Sequence, residues 1–148
     1  MKEGRKPKYS EETLGVNPLI TNLVVPVRLM RKKNQEEIEF DMDKNCKIFI
    51  ESANRKLVNE LSSRSKEMFL WIIYTLETGR DHFWLNRQRY MKEMGIASQT
   101  TFKAAIDPLI QKNFICKTTV RGVYFINPSI FYSGSRVNNF PEKVKRVY

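Results

Sequence analysis

The sequence is poor in the residues that build metal centres and disulfide frameworks. It contains two cysteines, Cys46 and Cys116, and one histidine, His82. Two thiols that are far apart in the chain cannot make a disulfide framework, and so few soft ligands exclude a structural zinc site. We therefore interpret both cysteines as reduced thiols in a cytoplasmic protein, and we expect no metal and no other cofactor.

Long apolar runs and glycine-rich loops are also missing. The longest apolar run lies within residues 68–74, whereas a membrane-spanning helix needs about 20 residues, so we expect no membrane partner. The charged stretch at residues 1–8 is not followed by an apolar segment, which argues against a secretory signal. The six glycines are scattered along the chain, and this predicts no phosphate-binding loop of the ATPase kind.

Enzymatic chemistry finds little support in the residue pattern. A strand-nicking nuclease needs a tyrosine nucleophile beside a metal that histidines or carboxylates hold. The single histidine, His82, is better interpreted as a loop residue after a helix. The carboxylates of residues 36–43 alternate with apolar side chains, which is typical of the solvent-facing side of a strand. We assign no catalytic residue and expect a protein that is not an enzyme.

Positive charge is what the sequence has in excess. It carries 26 Lys+Arg against 16 Asp+Glu, a formal net charge of +10. Basic chains bind polyanions, either nucleic acid or an anionic membrane surface, and the total charge does not choose between them. Its distribution is more informative, because residues 62–127 carry ten basic and five acidic side chains, whereas residues 1–61 carry twelve and ten.

The N-terminal third is predicted to form an arm followed by a β-hairpin. Residues 1–15 are polar and lack periodicity, which predicts a flexible basic arm. Residues 37–43 alternate between acidic and apolar side chains, which predicts a half-buried strand with its carboxylates facing water. A β-branched segment at 22–32 is its expected partner, and Lys33-Asn34-Gln35 suits the turn. Pro26 restricts that partner to an edge strand or a bulge.

The order of elements after residue 47 is that of a winged helix-turn-helix. The pattern predicts a helix over much of 48–61, although residues 48–50 could also be extended. It further predicts helices over 66–77, 87–94 and 98–112, a short strand at 83–85, and a hairpin of strands 114–118 and 123–126. Asn86, Ser98, and Ser63 or Ser65 suit helix N-caps, and Gly95 suits the left-handed turn between the third and fourth helices. Pro108 is expected to kink or end the last helix near its final turn.

We therefore predict an α+β chain, a winged helix-turn-helix domain with an N-terminal β-hairpin extension. The predicted organisation is a flexible basic arm (1–15), the hairpin extension (16–46), a winged helix DNA-binding domain (47–135) and a basic C-terminal tail (136–148).

The predicted fold indicates which side chains meet DNA, because the second helix of the motif enters the major groove with its N-terminal residues toward the base edges. Three side chains of this helix are expected to face the groove: Gln99, Thr100 and Lys103. Two hydroxyls beside them are expected on phosphates: Ser98 and Thr101. Three arginines of the preceding helix and the wing are expected on the DNA backbone: Arg87, Arg89 and Arg121.

The end of the predicted wing resembles a known family. Residues 121–134 read Arg-Gly-Val-Tyr-Phe-Ile-Asn-Pro-Ser-Ile-Phe-Tyr-Ser-Gly, and this run from a wing strand into Ile-Asn-Pro, an aromatic pair and a glycine is similar to plasmid replication proteins of the RepL type. Ser98–Ile106 occupies the recognition-helix slot. Leu109–Ile115 resembles the family's Leu-basic-Gly-Phe-Ile passage, with Asn113 in the place of glycine. The resemblance covers residues 47–135.

The resemblance implies a bacterial plasmid or mobile-element protein that binds its origin and starts replication. Our leading hypothesis is sequence-specific, non-enzymatic binding of double-stranded DNA at origin repeats, which initiates or controls replication. A second hypothesis is a transcriptional repressor with the same DNA-binding domain. A third is an interaction module, in which the N-terminal hairpin joins two copies into a homodimer or recruits a host replication protein.

Overall fold

A computed structural model describes residues 4–42 and 52–147 of the chain. Its elements in chain order are α1 (Glu11–Leu14), β1 (Val25–Arg31), β2 (Glu37–Asp41), α2 (Ser52–Asn59), α3 (Ser63–Thr75), β3 (His82–Trp84), α4 (Arg87–Glu93), α5 (Gln99–Gln111), β4 (Ile115–Lys117), β5 (Val123–Ile126), α6 (Arg136–Asn139) and β6 (Val144–Arg146), with 3₁₀ turns at Pro18–Ile20 and Pro141–Lys143. The strands form two sheets, ordered β2-β1-β6 and β3-β5-β4. The predicted α+β class is confirmed.

The segment from α3 to β5 follows the predicted order of helix, strand, two helices and hairpin, and it is compatible with a winged helix. Asn86 caps α4 by accepting from the N–H of Arg89 at 3.2 Å. Ser98 caps α5, and Gly95 between the two helices has φ +66°. Among the described helices, none is long and apolar enough to cross a membrane.

The cap of α3 is Ser62, so the predicted cap at Ser63 or Ser65 is wrong. Ser62 Oγ accepts from the N–H of Ser65 at 3.2 Å. Ser65 itself does not cap the helix, and its side chain is buried against α5. Its hydroxyl donates to the carbonyl of Ala105 at 2.8 Å. The serine cluster therefore begins one helix and fastens it to the next.

Pro108 lies inside α5, and the helix continues to Gln111. A proline has no N–H for the carbonyl four residues earlier, which costs a helix about 3 kcal/mol or more. The carbonyl left without its helical donor is that of Ala104. The hydroxyl of Ser65 in α3 donates to the neighbouring carbonyl, that of Ala105. The helix stops at the expected left-handed residue, Asn113, with φ +59°.

One hydrophobic core joins the N-terminal hairpin to the helices. Val25 and Val27 of β1 are 0% exposed and belong to the same cluster as Phe69 of α3 and Leu109 of α5. The ring of Phe69 makes edge-to-face contacts with Phe114 and Phe131 at centroid distances of 5.1 and 5.0 Å. The boundaries of the four predicted segments stay predictions, but the described part of the extension does not pack as a separate unit.

The arm is packed against the second sheet, which differs from the predicted flexible arm. Ser10 caps α1 by accepting from the N–H of Thr13 at 3.2 Å. Leu14 is 4% exposed and clusters with Val123 and Phe125 of β5. Burial of one leucine contributes about 1.5–3 kcal/mol, which offsets part of the entropy lost when a short segment is ordered.

The hairpin forms as predicted, but β1 is a central strand, so the prediction that Pro26 marks an edge or a bulge is wrong. In a strand, the N and the carbonyl oxygen of one residue point to the same side. The Pro26 carbonyl accepts from the N–H of Met42 at 2.8 Å, on the side of β2. The missing N–H of Pro26 would therefore point toward Met42, which lies one residue beyond the end of β2 at Asp41. On the other side, β6 pairs with β1 in parallel.

The acidic side of β2 is only partly exposed, so the prediction that its carboxylates face water is wrong for Glu39 and Asp41. Side-chain exposure falls from 51% at Glu37 to 25% at Glu39 and 10% at Asp41. Each carboxylate pairs with an arginine: Glu37 with Arg31, Glu39 with Arg146 and Asp41 with Arg136. Two of these arginines belong to the predicted C-terminal tail, which folds back as α6 and β6.

Arg136 is the most deeply placed of these partners. Its Nε and Nη2 donate to the two carboxylate oxygens of Asp41 at 2.6 and 2.7 Å. Its Nη1 donates to the carbonyl of Pro128 at 3.0 Å. A bidentate pair of this kind fixes both position and orientation, so it holds the hairpin, the segment after β5 and α6 together.

Further sequence expectations concern His82, the cysteines and the residues around positions 43–51. His82 lies in β3 with 4% exposure, so it is not a loop residue. Cys116 is a half-buried free thiol, and burial raises its pKa. Asp43, Cys46 and the predicted helix start at 48–51 lie outside the described residues.

Replacing Arg136 by leucine is expected to lower the free energy of unfolding by about 3–5 kcal/mol, because Asp41 is left buried without its partner. Urea denaturation of the purified variant measures this loss. Arg31→Leu is the control, since its pair with Glu37 is exposed and contributes about 0–1 kcal/mol. The double variant Arg136→Leu with Asp41→Leu should recover part of the loss, and simple addition of the two single losses would contradict the coupling.

Candidate nucleic-acid interface

The N-terminal half of α5 presents a polar face opposite its buried face. Phe102, Ala105, Ile106 and Leu109 are buried and fix which way the helix is turned. Three of the predicted DNA-contacting side chains are therefore exposed together on the first turns: Gln99, Thr100 and Lys103. Periodicity was sufficient to find this face, because α5 has regular helical spacing from its cap onward.

The two predicted phosphate-binding hydroxyls differ in their surroundings. Ser98 is exposed, and its Oγ accepts from the N–H of Thr100 at 3.1 Å, so the oxygen already caps the helix. Thr101 is half-buried at the side of the exposed face. Gln99 makes one weak hydrogen bond, in which its Nε2 donates to the sulfur of Met91 in α4 at 3.9 Å. The polar face thus begins at a fixed cap.

Arg89 is exposed but already has a partner. Its Nε donates to Glu93 Oε1 at 2.9 Å, one helical turn along α4. The other oxygen of Glu93 accepts from the indole N–H of Trp71 at 2.7 Å. These hydrogen bonds, first from Trp71 and then from Arg89, lower the pKa of Glu93 and keep its carboxylate charged. Arg89 is consequently less available to DNA than the sequence indicates.

Arg87 and Arg121 line one cavity, and a third arginine lines it with them. The cavity has a volume of about 220 Å³ and lies between the start of α4, the tip of the β4–β5 hairpin and the N-terminal segment. Its third arginine is Arg5. We call this site the arginine cleft and define it by Arg5, Arg87 and Arg121. The sequence could not have placed Arg5 here, since the polar arm has no period.

The hairpin tip is built rigidly enough to hold Arg121 at this cleft. Thr118 Oγ1 lies 3.0 and 2.7 Å from the carbonyls of Val120 and Val123, so it braces the turn internally. Gly122 has φ +82°, and its carbonyl accepts from the N–H of Leu85 at 2.8 Å. The tip is therefore tied to the segment that leads into α4.

The walls of the cleft include aromatic side chains. Tyr124 of β5 stacks on Phe83 of β3, with ring centroids 5.8 Å apart and planes inclined by 27°. Burial raises the pKa of Tyr124, and the charge of Arg87 acts in the opposite direction. Trp84 lines the same site. The sequence pattern places these residues in strands and predicts only that they pack in the core. It does not predict that they lie beside the arginines.

Across residues 4–42 and 52–147, no group of three or more His, Cys, Asp or Glu side chains is placed to hold a metal ion.

Comparison with known proteins identifies a family. The family model described as Firmicute plasmid replication protein (RepL) matches residues 6–140. No curated protein and no solved structure matches the chain. The match extends well beyond residues 47–135, to which the resemblance in the sequence was confined, and it includes most of the arm and the whole hairpin. Because it covers nearly the whole chain, the protein belongs to the RepL family of Firmicute plasmid replication proteins.

Proposed function

We propose that this plasmid replication protein acts by binding double-stranded DNA at its replication origin, without catalytic activity of its own. The observation that carries the proposal is the combination of the polar first turns of α5 with Arg87 and Arg121 beside them. Neither arginine has a carboxylate within ion-pair distance in the described part of the chain, so both are available to phosphate. A helix of this kind fits the major groove, and flanking cations position it there.

The residue types on α5 suit the reading of bases. The amide of Gln99 can pair with the N6 and N7 atoms of adenine, and Lys103 can donate to the O6 and N7 atoms of guanine. Thr100 offers a hydroxyl and a methyl group to the same groove. Arg87 and Arg121 would supply phosphate contacts, which carry no sequence information but make affinity fall steeply with salt.

Replacing Gln99 or Lys103 by alanine is expected to reduce the preference for origin DNA over a scrambled duplex by about 1–3 kcal/mol each, because a base contact is lost. Fluorescence anisotropy with the two duplexes at fixed salt measures the preference. Gln111→Ala, at the other end of α5, and Lys92→Ala, in α4, are the matched controls. Equal affinities for the two duplexes in the wild-type protein would overturn sequence-specific binding.

A plasmid that depends on this protein should fail to replicate when α5 loses its contacts. The combined variant Gln99→Ala with Lys103→Ala is expected to abolish plasmid maintenance in a host where the replicon has no other initiator. Copy number after a shift from a permissive helper plasmid gives the measurement. If the plasmid persists in the variant while expression of the plasmid's genes rises, the protein acts as a transcriptional repressor and not as an initiator.

A second copy of the chain is the partner that the hairpin suggests. The outer edge of β2 pairs with no other described strand, and one face of the hairpin leaves Met30 45% exposed beside half-buried Ile38 and Phe40. An open edge with an apolar face is a template for pairing with another chain. A dimer would engage two half-sites of repeated or palindromic origin DNA, and host replication proteins would join the assembly in the cytoplasm.

The variant Ile38→Lys is expected to convert a dimer to a monomer, since lysine on an edge opposes strand pairing. Light scattering of the full chain over a range of concentrations reports the mass. Lys33→Glu, in the exposed turn of the same hairpin, is the control. A wild-type chain that stays monomeric up to high micromolar concentration would rule out this interface.

A further inference from the structure

Ten of the eleven arginines divide into those that have a carboxylate partner among the described residues and those that have none there, and the eleventh, Arg55 of α2, makes a contact of its own. Six of the eleven form ion pairs with carboxylates: Arg31, Arg64, Arg80, Arg89, Arg136 and Arg146. Four have no carboxylate within 4 Å in the described ranges: Arg5, Arg28, Arg87 and Arg121. Three of these four line the same cavity, and Arg28 lies apart from it in β1.

The arginine cleft therefore collects positive charge, and Asp107 of α5, which adds to burial in raising the pKa of the lining residue Tyr124, lies outside it. Its lining includes no aspartate and no glutamate. Guanidinium groups that share a concave site repel one another, and an anion between them removes that repulsion. Arginine presents a planar fork of donors that matches the oxygens of a phosphate. The cleft thus has the charge and the donor type of a phosphate site.

An amide in the lining has unused hydrogen-bonding capacity. Gln88 Oε1 is buried and has no hydrogen-bond partner among the described residues. Asn86, which caps α4 with its side-chain oxygen, also lines the cavity. A half-turn of the Gln88 amide exchanges its oxygen for an NH₂ group, which would donate to a phosphate oxygen.

The N-terminal segment contacts the rest of the molecule on both sides of Arg5, and these contacts place the arginine at the cleft. Gly4 lies so close to α4 that a Cβ added to it would be 3.3 Å from Gln88 Oε1. Lys6 pairs with Glu77 at 3.9 Å. Tyr9 meets His82 edge to face at 5.7 Å. This anchoring distinguishes Arg5 from a cation on a free tail.

We propose that Arg5, Arg87 and Arg121 together bind one phosphodiester group of the DNA backbone, and that the N-terminal segment completes this site. The inference rests on the proposed function, which identifies the polyanion as DNA. It adds the location of the phosphate site, its third residue, Arg5, and the ratio of three arginines to one phosphate. The cleft lies beside Phe102 in α5 and beneath the hairpin tip. A duplex that receives the first turns of α5 in its major groove passes its backbone along this side.

Affinity for a short origin duplex tests the site when it is measured across salt concentrations. Each of Arg5→Ala, Arg87→Ala and Arg121→Ala is expected to weaken binding about tenfold, and to make the slope of log affinity against log salt shallower by up to about 0.9. The preference for origin over scrambled DNA stays unchanged. Arg28→Ala is the matched control, because it removes an exposed arginine that lacks a carboxylate partner but lies outside the cleft.

A set of duplexes, each with one neutral methylphosphonate, identifies the phosphate. One position should weaken the wild-type protein by as much as Arg87→Ala and should have no effect on the variant that lacks all three arginines. The triple variant should lose less than the product of the three single losses, since one phosphate is shared. Inorganic phosphate at millimolar concentration should compete only weakly with the duplex for the cleft. Strong competition would instead identify a site for free anions.

The outcomes separate this inference from the proposed function. If wild-type protein shows no preference for origin DNA, the proposed function fails. If it does show the preference but Arg28→Ala costs as much as the cleft variants, general charge accounts for binding and the cleft is wrong. The cleft is equally wrong if Arg5→Ala has no effect, or if the arginines respond to different methylphosphonate positions. Unchanged thermal midpoints of the single variants confirm that folding is intact.

Discussion

Arg136 links three parts of the molecule, the helix to which it belongs and two partners that its guanidinium bonds. It sits in α6, clasps both oxygens of Asp41 at the end of β2, and donates to the carbonyl of Pro128 after β5. An arginine this deeply buried costs several kcal/mol of desolvation unless all its donors are met. The position of the hairpin relative to the segment after β5 is therefore set by the need to keep one charge paired.

The rest of the N-terminal sheet follows from that constraint. Once α6 is held at the end of β2, the chain continues through the 3₁₀ turn at Pro141–Lys143 into β6, which pairs with β1. The sheet then buries Val25 and Val27 against the helices. The hairpin is thus part of the same core as α3 and α5, which agrees with a family match that spans residues 6–140 and so includes it. The last strand, β6, covers the hairpin from beyond the matched residues.

Local signals in the sequence were sufficient for the elements between α3 and β5. The caps at Asn86 and Ser98, the turn at Gly95 and the helix stop at Asn113 each depend on neighbours within a few residues, and each is observed. The polar face of α5 follows from its period. The cap of α3 was missed by one residue, because three serines offer the same chemistry and only the buried bond from Ser65 to Ala105 decides among them.

The errors concern partners that are distant in the chain. Asp41 alternates with apolar residues as a solvent-facing carboxylate would, and nothing near it shows that Arg136 will cover it, 95 positions later. Pro26 is tolerated in a central strand because β2 ends beside it. Leu14 anchors an otherwise polar arm. In each case the deciding contact is made across the fold, where periodicity carries no information.

The same long-range contacts determine what the net charge of +10 means. The acidic block of β2 neutralises Arg31, Arg136 and Arg146, so its carboxylates hold structural arginines in place. Glu93 does the same for Arg89 within α4. Among the residues that the structure describes, three of the four guanidinium groups without a carboxylate within 4 Å lie beside α5 and the hairpin tip. A surface for a polyanion is thus produced by where the carboxylates are placed as much as by where the cations are.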